Sequence, residues 1–545
     1  MKKNISLILI IFLFYSCSNV ENNNDKRKVF KYNESAGITS LDPAFAKDQA
    51  NIWVCNQIYN GLVQLDDNLN IKPCIAKKWE ISDKGLKYVF YLRDDVFFHG
   101  NNKIFKKGRR VVAKDFEYSF KRLADKKLAS PGAWVFNNVL KNNDEYYFKA
   151  ENDTTLVIRL KQAFPPFLGI LSMQYCSVIP HEAVEVFGKD FSRNPVGTGP
   201  FYLKMWEEGV KMVLLKNNNY FEFDKNNRLP YLDAVSISFV IDKQIAFLEF
   251  VKGNLDFMSG IAPDYKDELL SRSGKLNPKY KDKIKMISMP YLNTEYLGIL
   301  VDTSLESDKN RPLKTKAIRQ AINYGFDRKK MIKYLRNNIG SPGVYGIIPL
   351  GLPCFDTSKM IGYEYNPAMA KKLLLNSGYK NIDDIPEITL STTSSYIDLC
   401  QYIQHQLNSL GLKINIEVNP PATLREMISQ SKLEFFRGSW IADYPDAENY
   451  LSLFYSKNFC PKGPNYTHFA NNKFDSLYLK AQQTVNDSLR YKYYIQMSNL
   501  VMEEAPVVIL YYDKVLRFTQ KNISNLGVNP LNLLILKKTR KLDTH

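Results

Sequence analysis

The stretch Arg437-Gly-Ser-Trp440-Ile-Ala-Asp443-Tyr444-Pro445-Asp446 sets a guanidinium and a carboxylate on one apolar segment. Read as a strand, its side chains alternate, so Arg437, Ser439, Ile441 and Asp443 share one face while Gly438, Trp440 and Ala442 share the other. A ligand with an ammonium at one end and a carboxylate at the other needs a counter-charge at each end before it can leave water. Asp and Arg are the residue types that supply such charge-assisted bonds, Arg as a bidentate fork. The same spacing also suits a core strand whose two charges sit at its ends in solvent.

Outward from this stretch, strands and helices interleave. Leu86, Tyr88, Phe90 and Leu92 alternate with Lys87, Val89, Tyr91 and Arg93 after a Ser82-Asp-Lys-Gly85 turn, which predicts a half-buried strand entered through a hairpin. Asn366-Pro367 predicts a helix start, with Ala370, Leu373 and Leu374 on its apolar face and Gly378 where a left-handed terminal residue is wanted. Ala317, Ile318, Ala321 and Ile322 recur at helical spacing, and Asp327 is placed to cap a following helix through Met331 and Ile332. Such interleaving predicts α/β layers.

At 545 residues the chain is too long for one core, and 45% hydrophobic residues with 13% aromatic suffice for two or three globular domains. The formal net charge of +18 raises the question of a polyanion partner, but the basic residues are scattered and no nucleic-acid motif appears, so nucleic acid is not expected. A basic field still favours acidic ligands by steering.

Lys2 and Lys3 precede an apolar run from Ile5 to Tyr15 that ends at Ser16-Cys17. This reads as a signal peptide whose apolar core is too short to span a bilayer, with Cys17 the expected lipid attachment point. Ser18 to Lys28, rich in Asn and charge, reads as a disordered tether.

Cys55, Cys74, Cys176, Cys354, Cys400 and Cys460 lack metal-ligand or redox spacing, which leaves buried thiols or disulfides open. His99, His181, His405, His468 and His545 are far apart, and His181-Glu182 lacks the second histidine of a zinc helix, so no metal site is expected. There is no Gly-x-Ser-x-Gly elbow, and Gly197-Thr-Gly199 lacks the spacing of a phosphate loop; between Pro195 and Pro200 these glycines predict a tight backbone turn passing between lobes. Neither catalysis nor a cofactor is expected.

The segment around Trp440 resembles the Trp-x-x-Asp-Tyr-x-Asp region of the extracytoplasmic solute-binding proteins of the oligopeptide and dipeptide ABC-transporter family. The resemblance recurs in order at Leu41-Asp-Pro-Ala44, Ile58-Tyr-Asn-Gly-Leu62, Pro73-Cys-Ile-Ala-Lys-Lys-Trp79-Glu80, Val112-Ala-Lys-Asp-Phe-Glu-Tyr-Ser-Phe-Lys-Arg122, Pro195-Val-Gly-Thr-Gly-Pro-Phe201, Ile318-Arg-Gln-Ala-Ile-Asn-Tyr-Gly-Phe-Asp-Arg328 and Ala505-Pro506. It implies a two-lobed periplasmic-binding-protein (Venus-flytrap) fold of mixed sheets flanked by helices. The implied layout is a discontinuous lobe I at 29–52, 190–289 and 508–545, an inserted domain at 53–189 and the opposite lobe at 290–507.

The resemblance further implies an extended oligopeptide held in the inter-lobe cleft, Asp443 taking its ammonium and Arg437 its carboxylate. Trp440 and Tyr444 would act as cleft walls and Gln49 as a weaker contact on the opposite wall. The expected partners are ABC permease subunits and, through the lipid, a bacterial membrane on its periplasmic side; the protein is expected to act as a monomer. The alternatives are a specialised solute in the same fold (a nickel complex, haem or an oligosaccharide) and a surface scaffold or adhesion lipoprotein without transport.

Overall fold

The computed structural model describes residues 27–302 and 311–543. The leader, Cys17 and the tether as far as residue 26 lie outside the described residues. From Lys28 onward the chain is tied to the body, since the Lys28 amide donates to the Asp233 carboxylate at 2.8 Å.

An 11-stranded sheet runs through both lobes. Its centre is the antiparallel pair Ile284–Ile299 and Val507–Gln520, whose lengths follow from near-continuous apolar and aromatic runs. On one side of this pair lie Phe257–Ser259, Val29–Asn33, Ala234–Ser238, Lys211–Lys216 and Phe201–Glu207; on the other lie Phe435–Ile441, Ile388–Thr392 and Ile414–Val418. The central pairing breaks midway: Pro290 is opposite Lys514 and Thr294 is opposite Tyr512, so Tyr291, Leu292 and Asn293 face Asp513 alone. Leu292 turns its main chain elsewhere, its amide donating to the Pro530 carbonyl at 2.8 Å and its carbonyl accepting from the Ala442 amide at 2.9 Å and the Tyr450 hydroxyl at 2.6 Å. Both main-chain groups of Leu292 are thus satisfied by residues outside the central pair, which makes the break a fixed bend.

The predicted local elements are present. Ala76–Ser82 and Lys87–Leu92 form the expected hairpin, with Tyr88, Phe90 and Leu92 buried, within a four-stranded sheet completed by Thr155–Arg159 and Phe148–Asn152. Helix Pro367–Leu375 starts at Asn366, whose side chain accepts from the Met369 amide; Ala370 and Leu374 are buried, and Gly378 is left-handed at φ 93°. Helix Lys316–Tyr324 buries Ile318, Ala321 and Ile322, and Asp327 caps Arg328–Leu335 by accepting from the Lys330 amide at 3.0 Å. The six cysteines from Cys55 to Cys460 are buried free thiols.

The Gly197–Gly199 segment departs from the expected turn, because neither glycine has a positive φ. They are there for close approach: a Cβ at Gly197 would lie 2.1 Å from the Ile58 carbonyl oxygen, and one at Gly199 would lie 2.4 Å from that of Gln57. Both carbonyls end helix Gln49–Ile58, and the Gly199 amide donates to Ile58 at 2.7 Å. This contact holds the helix that carries Gln49 toward the cleft. Gly197→Ala should therefore destabilise the protein by about 1–3 kcal/mol through overpacking against backbone, read as a lowered urea midpoint at unchanged slope.

Candidate functional site

Strand Phe435–Ile441 lies between Ile284–Ile299 and Ile388–Thr392, so its first residues are core and its later ones half-buried. Arg437 pairs with Leu297 and Ser439 with Glu295, which sets Arg437 and Glu295 diagonally on one face. There the guanidinium forms an ion pair with Glu295 and lies over the Tyr396 ring, 3.4 Å from its centroid. Both partners are withdrawn from water, Arg437 at 13% and Glu295 at 3% side-chain exposure. Asn293 Nδ2 donates to Glu295 at 3.1 Å and lies 3.4 Å from Asp513; Asp513 accepts from Arg336 at 2.8 Å, and Arg336 also donates to the Tyr511 hydroxyl at 2.8 Å. Two guanidinium–carboxylate pairs, Arg437 with Glu295 and Arg336 with Asp513, are thus joined across the bend through Asn293, which bridges the two carboxylates.

Asp443 is placed differently. The strand ends at Ile441, so the alternating face reaches that residue and Asp443 lies beyond it. Asn449 fixes the corner: its Nδ2 donates to Asp443 at 3.2 Å, while its Oδ1 accepts from the Asp443 amide at 3.2 Å and from Trp440 Nε1 at 2.8 Å. Among the described residues no ammonium or guanidinium forms a salt bridge with Asp443. Solvent reaches its side chain, yet burial raises the carboxyl above its ordinary value, opposed by the Asn449 hydrogen bond. Accessibility combined with dense surroundings describes a group at the wall of a recess. Facing it, Tyr175 is raised by burial and then by the charges of Asp443 and Asp48.

A cavity of about 770 Å³ opens between the lobes. Glu34, Gln49, Lys243, Gly260 and Lys266 line it from one side, and Tyr291, Arg336, Tyr396, Asp398, Asp513 and Lys514 from the other. Gln49 lies beside Tyr291 across the gap, where it offsets part of the rise that burial imposes on the Tyr291 hydroxyl. Of the residues named from sequence, Gln49 lines this volume directly, Arg437 lies over the ring of the lining Tyr396, and Asp443 is not among the lining residues. Trp440 is half-buried against the lobe core and does not line the cavity. Tyr444 does not line the cavity: at 4% exposure it is packed at the seam between its own segment and the residues expected to form the inserted domain, its ring 6.2 Å from Trp134 and its hydroxyl donating to Glu448. Its bulk and that of Pro445, packed at Gly169, fit a gap that spacing could not reveal.

Sequence reasoning missed Glu295, Asp513, Arg336 and Tyr396. The first two carried a signal, being charges inside long apolar strands where an unpaired charge would be intolerable.

Two lobes on a shared bent sheet, with a charged cavity between them, define a binding protein that traps its ligand. The bacterial extracellular solute-binding protein family 5 (middle) model matches residues 70–459, and the chain belongs to that family. It is 25% identical over 505 residues to a glutathione-binding protein of Salmonella paratyphi A, covering 91% of each chain. The ABC transporter-associated periplasmic binding protein DppA of Helicobacter pylori, solved with the peptide STSA, superposes with TM-score 0.76 at 25% identity, over 95% of this chain and 99% of that one. NikZ of Campylobacter jejuni, solved with Ni(L-His), shares the fold with TM-score 0.72 at 21% identity, over 93% and 97% of the two chains. The family is one of extracytoplasmic solute binding, not of catalysis. No helix among the described residues is long and apolar enough to cross a membrane.

Removing one member of the buried pair should be costly. Glu295→Gln is expected to destabilise the ligand-free protein by about 3–5 kcal/mol, because Arg437 would keep its charge without a partner; chemical unfolding checks it, and an unchanged midpoint would place the pair's role elsewhere.

Proposed function

We propose that the protein is the substrate-binding component of an ABC importer, held at the envelope by lipid on Cys17, and that it captures short extended peptides in the inter-lobe cleft. The observation that carries this reading is Asp443: an accessible carboxylate in a dense recess, held by Asn449 and matched by no cation among the described residues. An ammonium brought there gains a counter-charge that the protein has left open. Glu34 and Asp48 lie on the facing lobe, where burial and then Asp48 raise the Glu34 carboxyl, so that end of the site favours a cation.

The ligand's other end meets different chemistry. Arg437 would have to release Glu295 to take a carboxylate, whereas Lys514 and Lys243 line the cavity and neither ammonium is in a salt bridge among the described residues. Arg437 therefore suits a ligand able to displace its partner, and the lysines suit a carboxylate arriving without such competition. The cavity lies within the ~300–1,000 Å³ of small-ligand sites, which favours a short peptide, glutathione included, over a long one. Between the ends, the ligand's own N–H and C=O groups must be satisfied once buried; main-chain pairing to cleft backbone such as Ser259–Ile261 would do so for any sequence. Closure about the bend would then present one surface to a permease.

The test is calorimetry with a free tripeptide and its N-acetylated form. N-acetylation, or Asp443→Asn with the free peptide, is expected to weaken binding at least about tenfold, equivalent to ~1.4 kcal/mol. The pH dependence has a definite sign. Ammonium binding favours the Asp443 carboxylate, so affinity is present above the free protein's raised pKa and is lost as pH falls through it. The loss should begin at higher pH than for an ordinary aspartate and should vanish in Asp443→Asn. Unchanged affinity in both arms would remove Asp443 from the site.

A further inference from the structure

Cys460 is not among the residues that line the cavity and sits in a polar cluster that the proposed binding does not use. Its Sγ lies 3.4 Å from His468 Nε2, 3.1 Å from Ser431 Oγ and 3.7 Å from the Ile428 carbonyl. The other ring nitrogen, His468 Nδ1, lies 3.0 Å from Asp302 Oδ2. A carboxylate accepts and does not donate, so Asp302 holds a proton on Nδ1, while Nε2 faces the thiol, the Ser431 hydroxyl 3.0 Å away and the Cys460 carbonyl oxygen 3.2 Å away, an acceptor to which Nε2 can donate once it has taken a proton.

The ring is held deliberately. His468 adopts a left-handed backbone at φ 50°, Phe459 stacks on it in parallel at 4.5 Å, and the Val301 amide straps the loop down by donating to Thr467 at 2.9 Å. A non-glycine residue in that conformation stores strain that its surroundings must hold in place.

We propose that Cys460, His468 and Asp302 form a reactive-thiol site, at which Cys460 exchanges with small disulfides of low-molecular-weight thiols to give a mixed disulfide. His468 Nε2 takes the thiol proton as the Cys460 sulfur attacks one sulfur of the incoming disulfide. That S–S bond breaks as the new one forms, and the departing thiolate leaves with the proton from His468. Nothing is oxidised or reduced overall, because one disulfide replaces another. Asp302 touches no reacting atom; it is a positioning residue that fixes the tautomer.

Three observations bear on this assignment. The family is extracytoplasmic, where disulfides persist. Cys460 is 5% exposed but lies directly beneath the surface turn 461–464, in which Pro461 and Lys462 are exposed. The remaining thiols lack a base: burial raises Cys55, Cys74, Cys176, Cys354 and Cys400, Cys74 to about 12, which leaves them poor nucleophiles.

The experiment exposes the intact folded protein to hydroxyethyl disulfide and follows each cysteine by peptide mass mapping, the other thiols serving as internal controls. A mixed disulfide on Cys460 forming at least tenfold faster than on any of the other five is expected. His468→Asn, which tolerates the left-handed backbone, should slow that reaction at least tenfold at an unchanged unfolding midpoint, and Asp302→Asn should slow it less. Adducts at Cys460 that appear only on denaturation, or an undiminished rate in a folded His468→Asn protein, overturn the proposal. Should His468→Asn fail to fold, the ranking of the thiols in the wild-type protein decides it.

Discussion

Where Ile284–Ile299 and Val507–Gln520 stop pairing, between Pro290 and Thr294, the sheet must bend, and the rest of the molecule is arranged around that bend. A ladder interrupted in a buried place leaves amides and carbonyls that need other partners. Leu292 finds them in Pro530, Ala442 and Tyr450, which come from distant parts of the chain. One main-chain residue thus joins the C-terminal segment, the end of the Arg437 strand and the helix after Asp443. The position of Asp443 follows from this: Ala442, one residue before it, is pinned to the bend, and Asn449, from the helix that also carries Tyr450, closes the corner.

The charges around the bend fall into two kinds. Arg437, Glu295, Asp513 and Arg336 satisfy one another, and burying them is tolerable because each has a partner within its own lobe or hinge. A balanced chain of this kind gives little attraction to a zwitterion, because whatever it offers a new carboxylate it must first withdraw from an old one. Asp443, Lys514 and Lys243 form no salt bridge among the described residues, so under the proposed reading they would bear a ligand's charges at lower cost. The distinction depends on neighbours, since the residue types in the two groups are alike.

That dependence explains what could be seen in the sequence. The hairpin at Ser82–Gly85, the Asn366 cap and the Asp327 cap were legible because each is closed by residues within a few positions of one another. The bend at Leu292 was not, as its hydrogen bonds span separations that no local pattern encodes. Asp443 stood out by its residue type beside Trp440 and Tyr444, but the pairing of Arg437 with Glu295 joins residues 142 positions apart. Gly197 and Gly199 were visible as special backbone, though the reason is the end of helix Gln49–Ile58 and not a left-handed turn. Tyr444 differs most from its expected place, since an aromatic beside a candidate binding carboxylate suggests a cleft wall and here packs as a buried peg near Trp134.

The peg ties the ligand's anchor to the relation between the lobes. Immediately after Asp443, Tyr444 packs with its ring near Trp134 and Pro445 packs at Gly169, which joins this corner to the 53–189 segment. Its hydroxyl is held by Glu448, which also accepts from Tyr478 and whose carboxyl is raised by burial, so the tyrosine is fixed at its root as well as its tip. Swinging the lobes apart about the bend must re-expose this apolar contact, on the order of 1–3 kcal/mol for a side chain of this size. A ligand shifts that balance only by binding the two arrangements unequally. Asp443 adjoins the peg, and Tyr175, whose hydroxyl is raised by burial and then by the charges of both Asp443 and Asp48, lies near both carboxylates, so an ammonium bound there, as proposed, would meet two negative charges only while the peg is seated. Under the proposed reading, charge capture and this contact would be coupled through neighbouring residues of one corner, and the coupling would need no longer pathway than Asp443 to Pro445.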